Sequence, residues 1–332
     1  MMAPGDQTVA VVGAGIGGLS CARQLRAAGF HVRVFDKGRG TGGRVSVRRT
    51  KSGASFDHGA QYFTVRDAAM AQQVERWLAA GVVAPWGCRI GSLNSGHWTP
   101  TKSETIRYVG VPGMTAITKL LAVDMDLELQ SRVTTVAREG KGWLLSFEDG
   151  KDRGVYDVLI LNAPAPQSAG LLEAFPSFAQ RIRPAKFASC WAVMLALEAP
   201  LDVPWDAAFV NDSSLSWIAR NSSKPGRPAQ PDCWVLHASP DWSMAHLEDS
   251  PDAVTARLLA SFWQAVGMPP RQPAFVAAHR WRYAVPEKTL ETRCLFDEEL
   301  RLGVCGDWCG GPRVEGAYLS GLSLAEAVRS CN

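Results

Sequence analysis

Gly13, Gly15 and Gly18 follow directly on a run of small and β-branched apolar residues, Thr8-Val-Ala-Val-Val12, and an acid, Asp36, stands 18 residues beyond the third glycine. Together these residues can hold a dinucleotide. A glycine at 13 permits a tight turn, one at 15 lets the backbone approach a pyrophosphate, and one at 18 lets a helix pack closely on a sheet. The Asp36 carboxylate would accept hydrogen bonds from ribose hydroxyls. Ala14 within the turn and Lys37 beside the acid complete this set of expected contacts. By itself the turn is compatible with either NAD or FAD.

Such a set works only on the right scaffold. Thr8 to Val12 reads as a strand buried on both faces. Leu19 to Ala28 reads as a helix with Leu19, Ala22 and Leu25 on one side and Gly29 as its stop, and Val32 to Phe35 as a second strand ending at the acid. The helix N-terminus then presents unpaired N–H groups and partial positive charge to the phosphates. Further on, Val133 to Val136, Trp143 to Phe147, Val155 to Leu161 and Arg301 to Val304 read as strands, Arg66 to Ala80 as a helix, and Tyr318 to Ser330 as the last helix.

Asp36-Lys-Gly-Arg-Gly-Thr-Gly-Gly-Arg44 adds a second glycine turn and an arginine after the acid. This segment resembles the extended fingerprint of the glutathione-reductase-2 type flavoproteins, a group that includes amine oxidases. The resemblance implies non-covalent FAD, with Arg44 on its pyrophosphate. Arg39 sits one place further upstream than the group's pattern has it, so the expectation rests on Arg44. Gly59 and Ala60 are small enough for a flat ring to lie against the backbone, with Gln61 and Tyr62 facing it. In the same group an acid at Asp307 binds the ribityl chain, and the following helix, near Gly316 and Ala317, points at the pyrimidine end of the flavin. A helix N-terminus there would stabilise the negative charge of reduced flavin. Val133 is a further expected contact from the middle of the chain.

The implied fold is α/β: an FAD-binding Rossmann-type domain, p-hydroxybenzoate-hydroxylase-like, with a discontinuous α+β substrate domain. Residues 1–69, 113–165 and 293–332 are assigned to the first and 70–112 and 166–292 to the second. Of twelve tryptophans, ten fall in the proposed substrate segments. They can wall a pocket for flat rings or simply fill a core.

Composition bounds the function. The 332 residues carry a net charge of only +3 with both signs interspersed, which argues against a nucleic-acid or membrane-surface footprint. No apolar run approaches the ~20 residues that span a bilayer, and a cytoplasmic monomer is the default expectation. The eight cysteines form no C-x-x-C pair and no metal-ligand cluster, so a metal site is not expected; they read as small buried hydrophobes in a reducing compartment.

A narrower resemblance is carried by Asp57-His-Gly-Ala-Gln-Tyr-Phe-Thr64, Arg107-Tyr-Val-Gly-Val-Pro-Gly-Met114, Trp217-Ile-Ala-Arg-Asn-Ser-Ser-Lys-Pro225, Trp234-Val-Leu-His237, His279-Arg-Trp-Arg-Tyr283 and Arg313-Val-Glu-Gly-Ala317. In this order they resemble the renalases, above all their bacterial members. That resemblance implies oxidation of the 2-dihydro and 6-dihydro isomers of NAD(P)H to NAD(P)+, with hydride passing to flavin N5 and electrons then to dioxygen, giving hydrogen peroxide, or to another acceptor. Hydride transfer requires alignment at about 3–3.5 Å rather than an acid or base, so no catalytic side chain is assigned. The expected substrate contacts are Gln61, Tyr62, Tyr108, Arg220, Asn221, Lys224, His237 and Trp281, with Trp234 and Tyr283 also facing the flavin and His279 a further candidate. Arg220 to Lys224, leading into a mobile loop at 225–231, would hold the dinucleotide's phosphates. Two rivals stand: an amine oxidase or desaturase of the same fold, and a flavin-binding sensor without turnover.

Overall fold

The computed structural model describes residues 7–94, 96–102 and 104–331. The first apolar run forms β1 (Thr8–Val12), and the chain passes through the glycine turn into α1 (Ile16–Ala27) and on to β2 (His31–Phe35). β1 has parallel partners on both sides, β2 and β13 (Val158–Leu161). β13 pairs in parallel with β20 (Leu302–Val304), β20 carries the antiparallel β19 (Leu295–Asp297), and β2 is flanked by β9 (Asp126–Glu128). The sheet order is therefore β19-β20-β13-β1-β2-β9. Central strands covered on both faces need apolar residues at every position, which is why β1 and β13 read as unbroken runs rather than alternating ones.

The single strand expected over 155–161 is two. β12 (Val155–Tyr156) joins a three-stranded antiparallel sheet with β10 (Val133–Glu139) and β11 (Gly142–Phe147), while β13 enters the main sheet. Asp157 marks the break. Its carboxylate accepts from both the N–H and the hydroxyl of Thr8 at 2.8 Å, pinning the crossing between the sheets.

A seven-stranded sheet forms the other layer, in the order β18 (Phe275–Lys288), β14 (Lys186–Leu197), β17 (Asp232–Ala238), β16 (Leu215–Arg220), β15 (Ala207–Val210), β6 (Ile90–Asn94) and β7 (His97–Pro100). All its pairings are antiparallel except that of β15 with β6. α6 (Pro240–Ala245) packs along β14, and α7 (Pro251–Val266) packs Val254, Leu258 and Phe262 into a core with Trp191, Leu195 and Trp234. Seven of the ten tryptophans in the segments assigned to the substrate domain (77, 86, 191, 205, 217, 234 and 263) are buried, so most of them fill core. Short ladders join β3 (Arg48–Arg49) to β4 (Ser55–Phe56) and β5 (Val83–Pro85) to β8 (Tyr108–Gly110).

The remaining helices are α2 (Ala68–Ala79), α3 (Ala116–Leu121), α4 (Ala165–Leu171), α5 (Pro176–Ile182) and α8 (Arg313–Ser330). α8 begins at Arg313 rather than Tyr318, so Gly316 and Ala317 lie inside its first turns. It runs against α1, where a Cβ on Gly321 would collide with the carbonyl of Gly17. Among the described residues no helix is long and apolar enough to cross a membrane, and no group of three metal-ligating side chains is present.

Candidate functional site

Hydrogen bonds link several of the expected cofactor residues that lie far apart in sequence, among them Ala14, Asp36, Arg44, Ala60 and Asp307. At the C-terminal edge of β1, Gly13 turns with φ 115° and donates to Phe35 O at 2.7 Å. A Cβ on Gly18 would strike Gly13 O, and one on Gly15 or Gly17 would crowd the Asn162 side chain. α1 has no side-chain cap, so its first N–H groups stay open to a phosphate. Asp36, at the end of β2, accepts from Ala14 N–H at 2.7 Å and Gly38 N–H at 2.6 Å, which sets its carboxylate beside the turn. These features fit a bound dinucleotide: a cradle that side chains would fill, open donors and a fixed acid.

Ala14 O next accepts from Gly42 N–H at 3.0 Å, anchoring the short helical turn Gly43–Val45 that carries Arg44. Arg44 O takes the N–H of Ala60 at 2.9 Å, and a Cβ on Gly59 would collide with that same oxygen. The Arg44 guanidinium makes a two-pronged bridge to Asp307, at 2.9 and 2.6 Å. Burial raises the Asp307 carboxyl above the usual carboxylate range, while the Arg44 charge opposes that rise. Backbone bonds from Gln130 N–H to Gly38 O and Ser131 N–H to Asp36 O bring the start of β10, with Val133, to the Asp36 end. Lys37 reaches outward to Gln167 at 3.3 Å. Gly316 and Ala317 lie on α8, where a Cβ on Gly316 would strike Gly311 O.

Beside the Gly59 backbone stands a wall of rings. Trp281 approaches the Gly59 Cβ position at 3.4 Å, donates to His58 O at 2.9 Å and stacks on the His58 ring at 5.2 Å. His279 meets His58 and Trp281 edge-on at 4.9 and 4.3 Å, and His237 Nε2 lies 3.3 Å from His58 O. Burial pulls His58 and His237 down to about 4 and lowers His279 as well, so all three imidazoles are neutral at physiological pH. Tyr283 lies further along β18, its ring edge-on to Phe187 at 5.9 Å.

Several expected substrate contacts are engaged elsewhere. Lys224, expected to hold a phosphate of the dinucleotide, is fully buried and donates to Asp57 at 3.2 Å, Gln61 Oε1 at 3.0 Å and Asn221 Oδ1 at 3.0 Å. Asn221 spends its other amide atom on Ser55 O at 2.7 Å. Arg220 bridges Asp232 at 3.3 Å and caps the carbonyl of Leu201. Within the expected mobile loop, Arg227 turns inward to Asp57 at 2.6 Å. Gln61, expected to face a ring, directs its Nε2 to the carbonyls of Asp57 and Gly59. Trp234 is not a flavin neighbour by virtue of exposure: it is wholly enclosed, with its indole N–H on Asp232 at 2.9 Å. Loop composition suggested solvent here, but the charges find one another in the interior. Tyr108 stacks on Phe63 at 5.7 Å, and Tyr62 lines a cavity of about 360 Å³ together with Arg66, Arg107 and Arg313.

Sequence reading missed Asn162, His58, Asp57 and Arg227 as parts of this region. Asn162 was legible as the polar end of a buried strand, and it now packs the glycine turn while donating to Cys305 O at 2.9 Å. Asp57 and His58 open one of the motifs quoted above, but nothing in that motif singled them out from Gly59, Ala60, Gln61 and Tyr62 as contacts.

Comparison with known proteins identifies the family and the fold. Residues 86–329 match the family model for flavin containing amine oxidoreductases, and residues 11–78 match an NAD(P)-binding Rossmann-like domain. A 4,4'-diapolycopene oxygenase from Methylomonas sp. is 43% identical over 60 residues, which span 18% of this chain and 12% of that protein. A phytoene desaturase from Neurospora crassa is 49% identical over 49 residues, spanning 15% of this chain and 8% of its own. Across whole folds, a structure designated a protoporphyrinogen oxidase, from Exiguobacterium sp. 255-15, superposes with a TM-score of 0.78 at 14% identity, covering 98% of this chain and 99% of that one. Putrescine oxidase bound to putrescine gives a TM-score of 0.70 at 15% identity over 98% and 99% of the two chains. At such identities the likeness is one of fold.

Proposed function

Because this chain belongs to the flavin containing amine oxidoreductase family and binds FAD, we propose that it oxidises dihydronicotinamide dinucleotides, the 2-dihydro and 6-dihydro isomers of NAD(P)H, to NAD(P)+. Bound FAD would supply the hydride acceptor and a route for the two electrons to dioxygen, giving hydrogen peroxide, or to another acceptor. The observation that carries the reading is the neutral wall beside Gly59 and Ala60, made of Trp281 and the imidazoles of His58, His237 and His279. A dihydronicotinamide is flat and uncharged, and flat uncharged walls hold it by stacking without the desolvation cost of an unpaired ion. Trp281 is fixed by its bond to His58 O, so it can set the ring's distance and keep water away. Asp307 and Arg44 would hold the ribityl and pyrophosphate parts of the cofactor, and Asp36 its ribose.

Amine oxidation is the second reading, favoured by the family match itself. Anaerobic mixing separates the two. Rapid bleaching of the bound flavin by a 6-dihydro or 2-dihydro nicotinamide dinucleotide, with NAD(P)+ as product, is the expected result. Bleaching by putrescine or another amine, with no response to either dinucleotide, would overturn it. Turnover limited to one equivalent with every reductant would point to a flavin-bearing sensor instead.

A further inference from the structure

Arg66, Arg107 and Arg313 come from three separate parts of the chain, and their side chains line one cavity of about 360 Å³ with Tyr62, Phe63, Thr64 and Thr105. That volume lies within the range of small-ligand sites. None of the three guanidinium groups is in a salt bridge among the described residues, although 13 arginines elsewhere in the chain are. Among the described residues Arg107 lies over the Tyr62 ring at 5.4 Å and donates to Thr105 O at 3.3 Å. The nearby carboxylate, Glu315, is taken up by the backbone N–H groups of Arg66 and Asp67, at 2.7 and 2.9 Å. Arg313 keeps its long side chain although its φ of 92° is a conformation that favours glycine. Three cations gathered around one space, with the neighbouring acid otherwise engaged, make a site for an anion and a barrier to an amine.

The cavity also has a fixed relation to the flavin-contacting segments. Tyr62 follows Ala60 and Gln61 directly, and Arg313 opens the helix that carries Gly316 and Ala317. We infer that this arginine-lined cavity is the subsite for the phosphoryl groups of the substrate, so the enzyme selects anionic nucleotides and rejects amines. The inference rests on the dinucleotide reading above, and it relocates the phosphate contacts expected of Arg220 and Lys224 to Arg66, Arg107 and Arg313.

Two measurements on the FAD-loaded protein test it, since bound FAD occupies the pyrophosphate cradle at α1. In calorimetry at low salt, inorganic pyrophosphate should bind once per chain. Arg107→Gln and Arg313→Gln should each weaken that binding by about ten- to a hundredfold. Arg329→Gln, at the far end of α8, should leave it unchanged, and equal melting temperatures would show that the variants fold. In anaerobic flavin reduction, the same two variants should lose a similar factor in kcat/KM for the dihydronicotinamide dinucleotide but little for its phosphate-free nucleoside. Pyrophosphate that fails to bind, or binds the variants as well as the native chain, overturns the subsite. If pyrophosphate binding follows the arginines while no dihydronicotinamide reduces the flavin, the subsite stands and the substrate reading falls.

Discussion

The imidazoles beside Trp281 show how burial at single residues sets both chemistry and stability. His58 and His237 are held near 4 by burial, whereas in the unfolded chain each would titrate near 6.5. The folded form thus refuses a proton that the unfolded form accepts. Stability is full above about pH 6.5 and falls as the pH drops toward 4, by up to about 3 kcal/mol for each ring. Urea unfolding at pH 7.5 and pH 5 should show a smaller acid loss for His237→Gln than for the native chain; equal losses would remove His237 from this role. The Asp57 cluster behaves differently, with one carboxylate serving two buried cations, Lys224 and Arg227. Removing the carboxylate leaves both cations unpaired. Asp57→Ala should therefore cost about 3–5 kcal/mol, more than Lys224→Met, which leaves the Arg227 pair intact. Denaturant midpoints compare the two directly, and a larger cost for Lys224→Met would contradict the scheme. Burial already lowers Lys224 to about 8, so its charge is the more easily given up.

At the level of elements, the cofactor cradle depends on how closely backbones approach. Gly18 lies over Gly13 O, Gly316 over Gly311 O, and Gly321 over Gly17 O, and at each place a Cβ would overlap the oxygen. Gly18→Ala should deform the turn that faces the pyrophosphate and lower FAD occupancy, read as the ratio of absorbance at the flavin band to that of the protein. Gly321→Ala pushes α8 from the first turn of α1 at Gly17. It should lower the melting temperature of the flavin-free protein as well as occupancy. A variant whose occupancy falls while the flavin-free protein melts unchanged would show that Gly321 acts on the ligand and not on the helix pair. The glycine and acid were legible because β1, α1 and β2 each carry their own local signal. The start of α8 was not, because Gly310, Gly311 and Pro312 read as a break and the helix begins immediately after them.

For the whole molecule, the decisive contact joins the two chain ends: Arg44 and Asp307 are 263 residues apart and bridged at 2.6 Å. Ligand that binds only the folded state adds stability, about 2.7 kcal/mol at a hundredfold excess over Kd. FAD should thus raise the melting temperature, and Asp307→Asn should reduce that rise more than it changes the flavin-free protein. Cys305 and Cys309 are both buried in that segment. Acid precipitation should release the yellow colour to the supernatant; colour retained in the pellet would mean a covalent flavin.

The sequence by itself determined the dinucleotide turn, its acid, the strands that hold them and the arginine that turns the fingerprint toward FAD. Each of these is encoded by a few neighbouring residues whose sterics act locally. Only the tertiary structure decided which cations face a ligand. Arg220 and Lys224 are cations like Arg66, Arg107 and Arg313, and the loop that follows them made that pair the natural choice for an anion. Folding places Asp232 against Arg220 and Asp57 against Lys224, and among the described residues no carboxylate bridges Arg66, Arg107 or Arg313. A charge is free or spent according to the partners that distant segments bring to it, and no local spacing records that pairing.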